Sequence, residues 1–212
     1  EGWTPAILRF SGLSALVKKK SKSFDKEIAL IELSSSEESE LQTSLKSLGK
    51  KYGKIGGFIH LHPVSSASSE SKLEDGTNAF LKQAFLSAKN VSSFLKDAGN
   101  SETRRSFFLA VIRLDGELGM GSGQFGAVGS GLSGLIKTAS VEWPDVFCRF
   151  VDLQPGLAAE KAAKCILQEL HDPDLRIKEV GYSGCGKSGT SRMTVQPKYI
   201  RDLTTSKPGK SL

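Results

Sequence analysis

Two glycine-rich stretches place residue types at spacings that could hold phosphate. GYSGCGKSGT (181–190) matches G-x-x-x-x-G-K-[ST], with Gly181, Gly186, Lys187 and Ser188 in the required places. In a phosphate loop, backbone amides cradle the phosphates and the lysine neutralises them. That chemistry needs a helix directly after the loop, whose free amides and positive dipole end face the anion. Here the chain continues GTSRMTVQP (189–197), with β-branched Thr190, Thr194 and Val195 and then Pro197. This reads as a turn into a strand, so the expectation is a glycine-rich hairpin with Lys187 near its tip. Nucleotide binding through Lys187 stands as an alternative. The second stretch, GSGQFG (121–126), reads G-x-G-x-x-G and lies between a strand pattern and a helix pattern, with Asp152 ending the next strand. Gly121, Gly123 and Gly126 could approach a dinucleotide pyrophosphate. A dinucleotide turn is tight, however, and DGELGM (115–120) intervenes. A glycine loop without ligand is expected, with dinucleotide binding as the alternative.

Other chemistry is sparse. His60 and His62 alternate on a strand and are expected on opposite sides of it, in core or sheet-end roles. Asp115 and Glu117 follow a strand near the glycine loop and read as a solvated pair. Cys148, Cys165 and Cys185 are odd in number and not in CxxC spacing. They suit a reducing cytosol, and with the three histidines (the third is His171) they make no familiar zinc pattern. No metal site is expected.

These residues need a scaffold to position them. Short apolar runs rich in β-branched and aromatic residues read as strands. They are PAILRF (5–10), EIALIEL (27–33), GGFIHLHP (56–63), SFFLAVIRL (106–114), VFCRFVDL (146–153), IKEVGYS (177–183) and, more weakly, SRMTVQP (191–197). Helical patterns lie between them. Leu41, Leu45, Leu48 and Tyr52 recur after a capping box drawn from Ser34 with Glu37 or Ser35 with Glu38. Phe80, Ala84, Phe85, Ala88, Val91 and Leu95 form a second stripe, closed by Gly99-Asn100 through a left-handed glycine cap. Val128, Leu132, Leu135, Ile136, Ala139 and Trp143 form a third, stopped by Pro144. Ala158, Ala162, Ala163, Ile166, Leu167 and Leu170 form a fourth. Strands alternating with helices make an α/β fold. A Rossmann-like, doubly wound parallel sheet with right-handed crossovers is expected, its late strands possibly a hairpin. Residues 1–197 read as one such domain and 198–212 as an aperiodic linker. The abrupt start suggests a first strand upstream of residue 1.

Composition limits the classes. The 212 residues are 38% hydrophobic and 25% charged, an ordinary soluble balance. No apolar run nears the roughly 20 residues that span a bilayer, and no secretory signal opens the chain. Neither membrane nor nucleic acid is an expected partner. The net charge of +6 is spread, and aromatic residues do not interleave with the lysines, so no base-stacking platform forms.

The stretch LSGLIKTASVEWPDVFCRFVDLQPG (132–156) is the most informative. It resembles the helix and strand after the active site of short-chain dehydrogenase/reductase folds. It is more similar still to ketoreductase regions of polyketide synthases and, above all, of polyunsaturated fatty acid synthases, which carry G-L-x-K-T-x-x-x-E-W-P…C-R…D-L…P. IGGFIHLHP (55–63), FFLAVIRLDGELG (107–119) and LHDPDLRIKEVGYS (170–183) extend the likeness over most of the chain. The resemblance implies a domain of two halves: a structural subdomain with a truncated reductase fold, and a catalytic half with NADPH. Counted back from Glu142 and Trp143, the family's Y-x-x-x-K places tyrosine at Phe125 and lysine at Gly129. Its serine would fall within 112–115, where none occurs, and its T-G-x-x-x-G-x-G motif is absent. The resemblance therefore implies the structural half: cytoplasmic, without catalytic residues or cofactor of its own. It would be partnered by the catalytic ketoreductase subdomain of the same polypeptide and, indirectly, by acyl carrier protein.

Overall fold

The computed structural model describes residues 3–10, 28–35, 37–62, 70–99, 105–121, 128–184 and 190–195, with side chains except over 70–78 and 128–130. Seven strands appear where the apolar runs predict them. β1 (Ala6–Phe10) and β2 (Ala29–Leu33) pair parallel as a two-stranded sheet. β3 (Gly57–Leu61), β4 (Ser106–Ile112), β5 (Val146–Leu153), β6 (Glu179–Ser183) and β7 (Ser191–Thr194) form a second sheet in that order. Its first four strands are parallel, and β7 returns antiparallel against β6, which makes the late strands a hairpin.

Four helices connect them: α1 (Glu38–Tyr52), α2 (Glu70–Gly99), α3 (Val128–Glu142) and α4 (Ala159–His171). One face of the larger sheet carries α2 and α3 on Phe108, Ala110, Ile112, Cys148 and Phe150. The other carries α4, whose Ala162 and Cys165 meet Leu109, Val151, Val180 and Tyr182. Both faces are thus covered, and β4 and β5 read as continuous apolar runs because each side chain meets a core. The strands step one way from β3 to β6, yet α4 lies on the face opposite α2 and α3. Its crossover therefore has the opposite hand, against the uniformly right-handed expectation. Polar bonds from Glu169 to β5, β6 and β7 hold α4 there.

Several local expectations change. Ser34 and Ser35 bond Glu40, not Glu37 or Glu38: their amides and hydroxyls each donate to its carboxylate at 2.8–2.9 Å. Donors converging on one carboxylate satisfy more of the turn than a capping box would. They hold the Glu40 carboxyl down to about 2, the Ser34 amide contributing most. Phe85, Leu167 and Tyr52 leave the buried stripes at 56%, 52% and 42% exposure, while Leu86, Cys165 and Glu169 turn inward. The sheet and neighbouring helices set each helix's rotation more finely than periodicity does. Gly99 ends α2 without positive φ; an added Cβ would lie 2.7 Å from the Asp145 carbonyl, so close approach is what requires glycine. The predicted linker, 198–212, lies outside the described residues.

Candidate functional site

In open α/β sheets, ligands bind beyond the carboxyl ends of the parallel strands. Here that edge gathers His60 and His62, the segment 113–121, Asp152, Gln154 and Gly184. β4 ends in Ile112, which is 3% exposed and packed in the core. Arg113 then donates to the carbonyls of Gln154 and Leu157 at 3.3 and 2.9 Å. The next turn wraps around two carboxylates. Asp152, wholly buried, accepts from the amides of Leu114, Gly116 and Leu118 at 2.8–3.0 Å. Asp115 accepts from Glu117, Gly119 and Gly121 at 2.8–3.0 Å. Burial pushes the Asp152 carboxyl up to about 6, and neighbouring Asp115 adds to the rise against the pull of the Leu114 and Leu118 amides. Burial also lifts Asp115, but the Gly119 and Glu117 amides and the contact with Asp152 leave it below the usual range. The two carboxyls share one turn, with their proton affinities pushed apart. Asp115 is thus part of the turn's framework and not one of a solvated pair with Glu117.

The turn is locked onto β6 through glycines. Gly116 has φ +76°, and an added Cβ would lie 2.2 Å from the Tyr182 carbonyl oxygen. Gly181 lies inside β6, where a Cβ would meet the Gly116 carbonyl at 2.3 Å. Gln154 completes the joint, donating its amide to Tyr182 and accepting the Gly184 amide on its side chain, at 2.9 and 2.8 Å.

The candidate residues of the sequence distribute as follows. Gly181 is mid-strand and Ser191–Thr194 forms β7, so the described chain after the Lys187 stretch is a strand. Gly186, Lys187 and Ser188 lie outside the described residues, as do Gly123, Phe125 and Gly126. Gly129 is in the first turn of α3 and, as glycine, carries no charge. Gly121 is described, and its amide already donates to a carboxylate, Asp115. The Glu117 carboxylate lies nearby as well, so Gly121 sits in an acidic setting. His60 and His62 share one face of the chain, contrary to expectation, because residues two apart on an extended strand point the same way. Their ring centroids are 6.2 Å apart, and His62 meets Phe80 edge-on at 5.3 Å. His60 Nε2 and His62 Nδ1 are buried without a hydrogen-bond partner among the described residues. Burial pushes both rings down to about 4, and His60 is lowered further by the neighbouring His62.

A second polar assembly was not anticipated. Arg149, fully buried on β5, bonds Glu169, Asp172 at 2.8 Å, and the Ile177 and Asp174 carbonyls at 3.2 and 2.6 Å. Glu169 also accepts from the Tyr182 hydroxyl and from Arg192 of β7. Burial pushes the Glu169 carboxyl up, but the bonds from Arg192 and Tyr182 and the Arg149 charge hold it below the usual range. The arginine within the apolar run VFCRFVDL was the signal: a charge inside a buried strand demands a buried partner. The set ties β5, β6, β7 and α4 together, with Arg149 and Glu169 buried and Arg192 at its solvent-facing rim. Among the described residues no group of three or more His, Cys, Asp or Glu could hold a metal, and no helix is long and apolar enough to cross a membrane.

Comparison with known proteins places this geometry. No protein-family model matches the chain. It is 28% identical over 188 residues to one subunit of the polyunsaturated fatty acid synthase of Thraustochytrium sp., covering 85% of this chain and 6% of that protein's length. Among solved structures it is similar to an alcohol dehydrogenase from the archaeon Thermococcus sibiricus complexed with 5-hydroxy-NADP, at TM-score 0.50, 18% identity and 72% of each chain. The apo SCOR enzyme from Clostridium thermocellum aligns at TM-score 0.52 and 8% identity, over 70% of this chain and 69% of that one. The fold is therefore a Rossmann-like α/β fold shared with these two enzymes, in a sequence similar over most of its length to a small segment of a polyunsaturated fatty acid synthase.

Proposed function

We propose that this chain is the non-catalytic structural half of a β-ketoacyl ketoreductase within a multidomain polyunsaturated fatty acid or polyketide synthase, packing against and stabilising an NADPH-binding catalytic half. The observation that carries the reading is the end of β4. Where the reductase family needs a serine to hold the substrate carbonyl, this chain has Ile112 in the core, Arg113 bonded to two carbonyls and Asp115 bonded to three amides. None has a hydroxyl, and each is committed to the fold. The family's lysine position, Gly129, has no ammonium to lower a neighbouring pKa, and Phe125 at its tyrosine position has no proton to donate to a forming alkoxide. The similarity to part of a synthase supports a parent of that kind; on this reading NADPH would bind the partner half.

Two measurements test this. The chain alone is expected to give no NADPH-dependent reduction of a β-ketoacyl thioester and no saturable NADP(H) binding. Either activity would overturn the reading, and micromolar NADP(H) affinity abolished by Gly123→Val would establish the glycine-loop alternative instead. Mixed with the catalytic half of the parent reductase, the chain is expected to form a stable complex and raise that half's activity or thermal stability. A catalytic half fully stable and active without it would remove the proposed role.

A further inference from the structure

α1 and α2 lie side by side and run the same way: Glu38 meets Lys89, Gln42 meets Asn90, and Lys54 meets Asp97. Between them runs a groove of about 480 Å³, with Ile55, Phe94 and Gly49 on its apolar surface and Lys46, Lys50 and Lys54 along one rim. A smaller hollow of about 240 Å³, sharing Lys46 and Phe94, continues it toward Gln42 and Asn90. From Gln42 to Tyr52 the helix flanking the groove spans roughly 15 Å, a little under three turns.

Two independent features point to an occupant. First, the charge is one-sided. Asp97 is the acidic residue in the lining, and it already pairs with Lys54 at 3.1 Å; Lys46 and Lys50 have no acidic partner among the described residues. Second, Gly49 sits inside a helix, where glycine is less favourable than alanine. Nothing requires it there: an added Cβ would meet only Phe94 Cε1, at an ordinary 3.7 Å, and no positive φ is involved. Its effect is to leave the groove open over the Phe94 ring.

We infer that the α1–α2 groove is a docking site for an acidic amphipathic helix of a partner domain. The partner's apolar stripe lies on Phe94 and Ile55, and its carboxylates face Lys46 and Lys50. This is the helix-in-groove mode, with apolar contact supplying affinity and rim charges supplying orientation and encounter rate. The site is remote from the carboxyl edge of the sheet and exists whatever reaction the parent performs.

The test uses the full chain and a fluorescein-labelled helical peptide with leucines at i, i+3, i+4 and i+7 and glutamates on its flanks, followed by anisotropy. Saturable binding is expected, weakening with salt and falling roughly tenfold or more in Lys46→Glu/Lys50→Glu, whose changes are on the solvent side. Gly49→Leu is expected to abolish binding by filling the floor while raising the melting temperature, which separates loss of the site from loss of the fold. Peptides with leucine replaced by serine, or glutamate by lysine, should not bind. Absence of saturable binding overturns the inference. So does binding unchanged in both variants, or equal binding of the serine peptide, which would show charge attraction without a groove.

Discussion

Single side chains carry the sharpest physical consequences. His60 and His62 are neutral in the fold because burial holds both near 4, against an ordinary value near 6.5. The unfolded chain therefore takes up protons first as pH falls, so their contribution to stability is full above 6.5 and is lost as pH drops toward 4. At pH 5 the loss should be about 2 kcal/mol per ring, read from urea unfolding at pH 7 and pH 5. The double variant His60→Leu/His62→Leu should remove most of that slope; an unchanged slope would show the rings to be solvated. Asp152 works in the opposite sense. Its raised carboxyl favours the folded state below about 6 and loses that contribution as pH rises, so the histidine slope is best taken as a difference between variants. Gly116 and Gly181 are equally specific. With backbone oxygens 2.2 and 2.3 Å from where their Cβ atoms would sit, Gly116→Ala or Gly181→Ala should each cost more than about 2 kcal/mol, whereas Gly134→Ala, with open space around it, should not destabilise. Denaturation midpoints check this directly. The carbonyl contacts at Gly116 and Gly181 could not be read from the sequence, because they arise between segments some 65 residues apart.

At the level of elements, the buried Arg149 set decides where α4 sits. Removing one member leaves a desolvated charge, so Arg149→Met should destabilise by about 3–5 kcal/mol. Arg149→Met with Glu169→Leu should cost less than the sum of the single changes, by about 1 kcal/mol or more, in a double-mutant cycle of urea unfolding. Additivity would show that the pair contributes nothing to holding α4 on the face opposite α2 and α3. Strand and helix positions were legible beforehand because each element repeats its own period: two for the half-buried β2, 3.6 for α1 to α4, and an unbroken apolar run for β4 and β5. Helix rotation was less legible. On α4, Glu169 faces inward where Arg149 and Arg192 pair with it, while Leu167 of the expected apolar stripe faces out.

For the molecule as a whole, the fold and the fate of its carboxyl edge must be read together. A Rossmann-like sheet places loops where a cofactor and substrate would meet. In this chain those loops bond to one another through Asp152, Asp115, Arg113 and Gln154. The consequence for the proposed role is a rigid edge, and Asp152→Ala should loosen it, seen as faster amide exchange at Leu114, Gly116 and Leu118 while β4 and β5 stay protected. Uniform exchange across edge and core would deny the edge any separate stability. The resemblance visible in LSGLIKTASVEWPDVFCRFVDLQPG carried the reductase reading because that stretch sets α3 and β5, the centre of the core.

By itself, the sequence determined the elements, their order and the alternation that makes an α/β fold. Those are properties of residue type and local period, and they need no knowledge of what lies across the sheet. Only the tertiary structure decided that Asp115 and Asp152 share one turn, that His60 and His62 face the same way at the half-buried end of β3, that Arg149 and Glu169 are buried together, and that α1 and α2 leave a lysine-rimmed groove. Burial and electrostatic pairing are set by neighbours brought from distant parts of the chain, so they exist only once the sheet has assembled.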